Sequence, residues 1–401
     1  MDFFQRQTIF FVLVLAVIAL ILVFVFKDNR GTSYAEAETI GGDVATFEEL
    51  SDRFANLSKE KGALYAFEVL RRAKLPPQTD LHLLAHVVGD ELYKEKGVAG
   101  IIHCTQEFRN ACSHSLVIGT LNDFGEGGLD DIREACKQAP GGGGAYTMCY
   151  HGLGHGVFSH FSFHFPETVD FCKKTGTEAY FDREYIECVG GAVMELMGGG
   201  GHDPYNWRIA REQYLSSDNP LDLCLGDEIP EKAKEICLIY LTPEIWNAVG
   251  IELGSPDPQK FSDAFSLCDA VPATKQHLRD ACFGGFGKEF IPLVAARDIR
   301  GVDALSDDAY KTAASWCMEA RAQDGRRACI AEAIASLFWG GENDPEASFR
   351  FCNLVDPELT ETCFSRLASD IASFVREDER KSELCNRIPD SFSSQCSNTA
   401  L

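Results

Sequence analysis

Residues 129–136 read LDDIREAC and residues 149–161 read CYHGLGHGVFSHF: an amphipathic stretch that ends at a cysteine, a glycine-rich connection, and a second stretch that starts from another cysteine. The same grammar recurs along the chain. The first arm returns as PETVDFC (166–172), NPLDLC (219–224), PQKFSDAFSLC (258–268) and PEASFRFC (345–352). The second returns as CSHSLVIGTL (112–121), CVGGAVMELM (188–197), CFGGFGKEFIPLV (282–294) and CIAEAIASLFW (329–339). Asp203-Pro204, Asp257-Pro258 and Asp344-Pro345, with Asn219-Pro220 as a variant, stand ahead of first arms, and an Asp or Asn cap followed by Pro at the first helical position is a helix start.

The 16 cysteines fall into eight local pairs: Cys104 with Cys112, Cys136 with Cys149, Cys172 with Cys188, Cys224 with Cys237, Cys268 with Cys282, Cys317 with Cys329, Cys352 with Cys363 and Cys385 with Cys396. Steps between first cysteines are 32, 36, 52, 44, 49, 35 and 33 residues, the period of a helical solenoid with loop insertions. Neighbour-to-neighbour pairing would staple the two arms of an αα-hairpin in each repeat, each staple contributing on the order of 3 kcal/mol by restricting the unfolded chain. No strand alternation of useful length accompanies these helices, so the fold class expected is all-α: a disulfide-stapled αα-hairpin solenoid over residues 101–401.

This layout resembles the disulfide-rich branch of the Sel1-like repeat proteins, kin of the tetratricopeptide repeats. The local match is residues 111–136, ACSHSLVIGTLNDFGEGGLDDIREAC, where Gly119, Gly125, Gly127 and Ala135-Cys136 fall where that family places its glycines and its Ala-Cys ending. The resemblance implies a binding scaffold and transfers no active site.

Residues 8–26, TIFFVLVLAVIALILVFVF, are 19 nearly uninterrupted apolar residues, enough at 1.5 Å per residue to span the hydrocarbon core of a bilayer. The apolar run is longer than that of a cleaved leader, and the first A-x-A after it, Ala35–Ala37, begins nine residues beyond Phe26, so residues 1–30 are expected to be a retained signal-anchor. A polar juxtamembrane stalk would follow over 31–45, then N-terminal helices over 46–100, with Phe47–Leu57 and Gly62–Lys74 as two of them. Flanking charge leaves the orientation open, since Arg6 faces Lys27 and Arg30 across the span. The cysteines decide it: 16 of them, none in a C-x-x-C motif, imply an oxidising compartment, so the C-terminal region is expected outside the cytoplasm, in the periplasm or at the cell surface.

Nine of the ten histidines lie between residues 82 and 202. His82 and His86 are four apart, as are His151 and His155, a spacing that puts both rings on one helix face as in a two-His metal clamp. Counting from the second cysteine of each repeat makes His114 equivalent to His151, and equivalent positions on successive solenoid helices face one another. His82, His86, His114, His151 and His155 are therefore expected to converge as metal ligands. His160 and His164 repeat the spacing at the end of an apolar run, while His103, His202 and His277 stand apart. With the thiols committed to disulfides, imidazoles supplemented by Asp90, Glu91 or Glu195 suit Zn, Cu, non-haem Fe or axial ligation of haem, and not Ca or Mg. Gly152, Gly154, Gly156, Gly190, Gly191, Gly284, Gly285 and Gly287 inside second arms point to close helix packing or to approach of a bound group. The runs Gly141–Gly144 and Gly198–Gly201 read as loops.

With 37 Lys and Arg against 61 Asp and Glu, a net charge of −24, a generic nucleic-acid binder is excluded. No phosphate loop, H-E-x-x-H or G-x-S-x-G is present, and no free thiolate remains. Glu195 and Glu289 share a repeat position, seven residues after Cys188 and Cys282, and are the acid/base candidates. Two function classes follow: a membrane-anchored repeat protein with a His-coordinated metal or haem centre, or a metal-free scaffold binding a protein, peptide or glycan at the cell envelope.

Overall fold

The computed structural model describes residues 34–44, 46–198, 203–215, 218–252, 256–339, 342–375 and 377–397. The apolar run 8–26 and His202 lie outside these residues, and among the described residues no helix is long and apolar enough to cross a membrane.

The described chain is all-helical. In order come α1 (Phe47–Lys61), α2 (Ala63–Arg72), α3 (Leu81–Lys96), α4 (Ala111–Phe124), α5 (Leu129–Gln138), α6 (Gly142–His160), α7 (Phe165–Lys173), α8 (Arg183–Gly198), α9 (Pro204–Tyr214) and α10 (Asp222–Leu225). Then follow α11 (Lys234–Tyr240), α12 (Thr242–Ala248), α13 (Phe261–Cys268), α14 (Gln276–Val294), α15 (Asp307–Cys317), α16 (Gln323–Phe338), α17 (Pro345–Leu354), α18 (Thr360–Phe374), α19 (Asp378–Cys385) and α20 (Ser393–Ser397). The Asp-Pro pairs start helical segments as their chemistry dictates: Asp203 accepts from the Asn206 N–H, Asp257 from Gln259 and Asp344 from Glu346. Asn219 instead closes a turn on the Leu221 N–H ahead of α10.

Every local cysteine pair is a disulfide. Cys104 is bonded to Cys112, Cys136 to Cys149, Cys172 to Cys188 and Cys224 to Cys237. Further along, Cys268 is bonded to Cys282, Cys317 to Cys329, Cys352 to Cys363 and Cys385 to Cys396. Their Cα–Cα separations of 5.4–5.7 Å fall inside the roughly 4.4–6.8 Å range of ordinary bridges. Each joins a first arm to a second, the first arm for Cys104 being a 3-10 segment, Gly97–His103. The second arms α4, α6, α8, α11, α14, α16, α18 and α20, which carry Cys112, Cys149, Cys188, Cys237, Cys282, Cys329, Cys363 and Cys396, pack on one another in sequence, with α3 ahead of α4.

The glycines fix how closely these helices approach, and their placement is regular. At three residues after the second cysteine, a methyl on Gly152, Gly191 or Gly285 would overlap the backbone of His114, His151 or Ile239, each two residues after the preceding repeat's second cysteine. At five residues after it, a methyl on Gly154 or Gly287 would overlap the carbonyl oxygen of Cys188 or Cys329 in the next repeat. Backbone-to-backbone packing of this kind leaves no room for any side chain, which is the reason for helix-weakening glycines in helix interiors.

The stack is not an open solenoid. α6, α8, α11, α14, α16 and α18 form a closed circuit in which α18 returns to α6, Phe374 lying where a side chain on Gly144 would go. The same seam is tied by polar contacts across more than 200 residues of chain: the Phe108 N–H donates to Glu342 Oε1 at 2.9 Å, Arg109 donates to the Ser336 carbonyl at 3.1 Å, and Arg300 donates to the carbonyls of Leu70 and Ala73. This also corrects the reading of Gly141–Gly144 as a loop. Gly142–Gly144 open α6, and Gly144 is small because the closing helix sits on it. From residue 34 on, the stretch read as a stalk packs on the domain, with Ala37 and Ile40 buried and the Lys74 N–H donating to the Ala37 carbonyl at 2.9 Å.

Candidate metal centre

Closing the circuit leaves a half-open pocket of about 230 Å³ where α3, α4, α6, α8, α11, α14 and α16 face one another. Its wall includes all five histidines singled out by spacing: His82, His86, His114, His151 and His155. α3 is started by Asp80, whose carboxylate accepts the Leu83 N–H at 2.9 Å, and this phases His82 and His86 onto the inner face. α4 lies between α3 and α6 and sets His114 between the two pairs: its ring is 5.5 and 5.6 Å from His82 and His86, and 5.7 Å from both His151 and His155.

Hydrogen bonds orient three of the rings through Nδ1, and a carboxylate faces the Nδ1 of a fourth without bonding it. His82 Nδ1 meets the Phe108 carbonyl at 2.7 Å, so it carries the proton and donates. His86 Nδ1 meets Ser115 Oγ at 3.1 Å, and because that hydroxyl donates to the His86 carbonyl, Nδ1 is again the donor. His155 Nδ1 meets Glu195 Oε2 at 3.0 Å, and His151 Nδ1 faces Glu187 Oε2 at 3.5 Å. A proton fixed on Nδ1 by a carbonyl or carboxylate leaves the lone pair on Nε2, the outer-shell arrangement of metal-binding histidine. The Nε2 atoms of His82 and His86 consequently face each other at 3.2 Å. With metal–nitrogen bonds of roughly 2.0–2.1 Å, that gap subtends roughly 100° at an ion between them.

His114 is the unusual member. It is 1% exposed, and neither ring nitrogen has a hydrogen-bond partner, a costly arrangement for a buried imidazole. Burial, with His82 and His86 next to it, holds its pKa well below the ordinary histidine value, and burial lowers that of His82 as well, so both rings favour the neutral, ligating form. One nitrogen from each of His82, His114 and His155 lies within 4.8 Å of the other two.

Of the rest of the wall, Glu195 and Glu289 are the acid/base candidates that share a repeat position, and the cations beside them are not foreseen. Arg109, Lys288 and Arg297 bring three cations, and Glu289 a carboxylate in contact with Lys288. Burial opposes the charge on Glu289, but Lys288, Arg297 and Arg109 hold it below the usual carboxylate range. Arg109 reaches the cavity from a turn in which Phe108, Arg109 and Asn110 all have φ between 55° and 63°, and Arg297 from a second such turn with Ala296. Left-handed backbone at non-glycine residues costs on the order of 1–3 kcal/mol each, and such strain collects at functional sites.

The first of these turns is held by Glu342, which accepts the Phe108 N–H while its Oε2 is buried without a partner. Burial raises this carboxyl from 4.5 to about 7, against the pull of Arg109. The folded state therefore binds that proton more tightly than the unfolded chain does. Its stabilising share is full below about pH 4.5 and is lost as pH rises through 7. Glu342→Gln keeps the acceptor and removes the titration, so the fall in melting temperature between pH 5 and pH 8 is expected to be shallower in the variant than in the wild type. Identical slopes would show that Glu342 does not titrate in this range.

A signal for Met194, Pro243, Lys288 and Ser336, which sequence reasoning missed, does exist in the sequence. Six residues after the second cysteine stand His155, Met194, Pro243 and Lys288, and seven after it stand Glu195, Glu289 and Ser336, all on the cavity wall. Reading those two positions down successive repeats collects one side of the wall. Of the carboxylates considered as ligands, Glu195 orients His155, whereas Glu91 is paired with Lys94 and Lys59 elsewhere and Asp90 is not on the wall. His103, His160, His164 and His277 are exposed and outside the cluster. No protein-family model, curated protein or solved structure matches the chain.

Proposed function

We propose that this protein is a membrane-anchored, extracytoplasmic binder of one divalent transition-metal ion, held by His82, His114 and His155 with His86 as the fourth imidazole within reach, and reachable from the cavity. The observation that carries the reading is His114: a fully buried imidazole with both nitrogens unsatisfied, aimed at two other rings whose opposite nitrogens are occupied by a carbonyl and a carboxylate. An ion supplies the missing partner. Imidazole donors suit Zn, Cu or Fe. A bare ion fits better than haem, because the five rings stand 4.7–6.3 Å from their neighbours and the backbone of α6 packs directly on His114, leaving no flat slot for a macrocycle between two axial rings. Eight disulfides support an oxidising compartment, and the apolar run 8–26 supports the anchor.

The test is elemental analysis of the full chain, purified in mild detergent without chelator, followed by Co²⁺ titration of the stripped protein. About one equivalent of metal and the visible bands of four-coordinate Co²⁺ are expected. A chain that holds no stoichiometric metal and gives no Co²⁺ bands overturns the reading in favour of a metal-free scaffold for a protein, peptide or glycan.

A further inference from the structure

The same cavity carries a second donor set that the three-imidazole centre does not use. Met148, Met194 and Met197 line it, three of only five methionines in the chain. Met148 and His151 lie one turn apart on α6, and Met194 and Met197 one turn apart on α8, so thioethers come from both helices at their glycine crossing. Between them, His151 Nε2 stands 3.3 Å from Met194 Sδ. A gap-filling methionine needs no such neighbour. Glu187 Oε2 lies 3.5 Å from His151 Nδ1, on the side of the ring away from Met194. A ring protonated at Nε2 donates to the thioether, and the tautomer protonated at Nδ1, toward Glu187, turns its Nε2 lone pair to the sulfur and offers both donors to an ion. With bonds of roughly 2.0 Å to nitrogen and 2.3 Å to sulfur, the 3.3 Å gap subtends roughly 100° at an ion between them, an angle open to three- or four-coordinate metals.

The geometry points to a second, soft-metal site selective for monovalent copper, formed by His151 Nε2 and Met194 Sδ, with Met148 on the same wall. Thioether sulfur selects Cu(I) over Zn. It is also the only soft sulfur on offer, since every cysteine is in a disulfide. The inference rests on the reading of this cavity as metal-binding but uses donors that the three-imidazole centre leaves aside.

The experiment titrates Cu(I) into the full chain anaerobically, with bicinchoninate as competing chelator and ascorbate as reductant so that the disulfides survive, and reads the copper shell by X-ray absorption. Co²⁺ titration of the same preparations reports the three-imidazole centre separately. A sulfur scatterer is expected in the wild type. Met194→Leu, close in volume, is expected to lose it and to weaken Cu(I) by more than the roughly 10- to 100-fold that loss of an outer-shell partner costs, with Co²⁺ uptake unchanged. Circular dichroism and non-reducing peptide mapping confirm the fold of the variant. A nitrogen-only copper shell, with equal Cu(I) affinity in wild type and Met194→Leu, overturns the thioether site and leaves the Co²⁺ result standing. Sulfur-bound copper without Co²⁺ uptake removes the three-imidazole centre and keeps this one.

Discussion

Gly191→Ala is expected to be among the most damaging single substitutions in the chain, although it adds one methyl group. The new Cβ would occupy the position of the His151 carbonyl oxygen, with the Gly154 Cα 3.2 Å away, so α6 and α8 must separate. Overpacking a well-filled interior costs about 1–3 kcal/mol when side chains can adjust. Here both sides of the contact are backbone, inside two helices stapled at Cys136–Cys149 and Cys172–Cys188, so the cost should reach or exceed the top of that range. Urea denaturation followed by circular dichroism measures it. Because the displaced backbone carries His151, with His155 one turn on, metal uptake should fall in parallel. Gly127→Ala is the control: nothing lies within 4 Å of its added methyl, and its stability should be unchanged or slightly raised. Equal midpoints for the two variants would mean that the α6–α8 crossing is looser than described.

Replacing His82, His114 and His155 together by Ala is the second large effect. Each ring donates a different helix to the centre, α3, α4 and α6, so no single helix retains a two-donor clamp for the ion, and the imidazoles left, His86 and His151, stand on separate helices. Stoichiometric Co²⁺ and Zn²⁺ binding should disappear, read by equilibrium dialysis, while all eight disulfides from Cys104–Cys112 to Cys385–Cys396 still form, because the cysteines lie in the stapled arms and not in the cavity wall. Removing His114 should by itself relieve the burial of two unsatisfied nitrogens, so the metal-free triple variant is expected to melt no lower than metal-free wild type apart from the cavity it opens. Unchanged Co²⁺ uptake by the triple variant would assign these rings a purely structural role.

The division between what is local and what is not explains how much of this molecule can be read from its residues. Each cysteine pair closes over 8 to 16 residues, and each Asp-Pro cap acts on the helix it begins, so the hairpins, their disulfides and the all-α class are matters of short-range chemistry legible in the chain. The convergence of five histidines was also legible, because the repeat register carries His114 and His151, each two residues past Cys112 and Cys149, to equivalent faces of neighbouring helices. Closure was not. It depends on the small rotation that each helix crossing adds, and on contacts such as Arg109 with Ser336 and Phe108 with Glu342 that join residues more than 220 positions apart. No local pattern encodes that sum. The tertiary structure therefore decided that the stack bends into a circuit and that Lys288, Glu289 and Trp339 from late repeats share a wall with His82 from the helix ahead of the first repeat, which turns a row of histidines into a walled pocket.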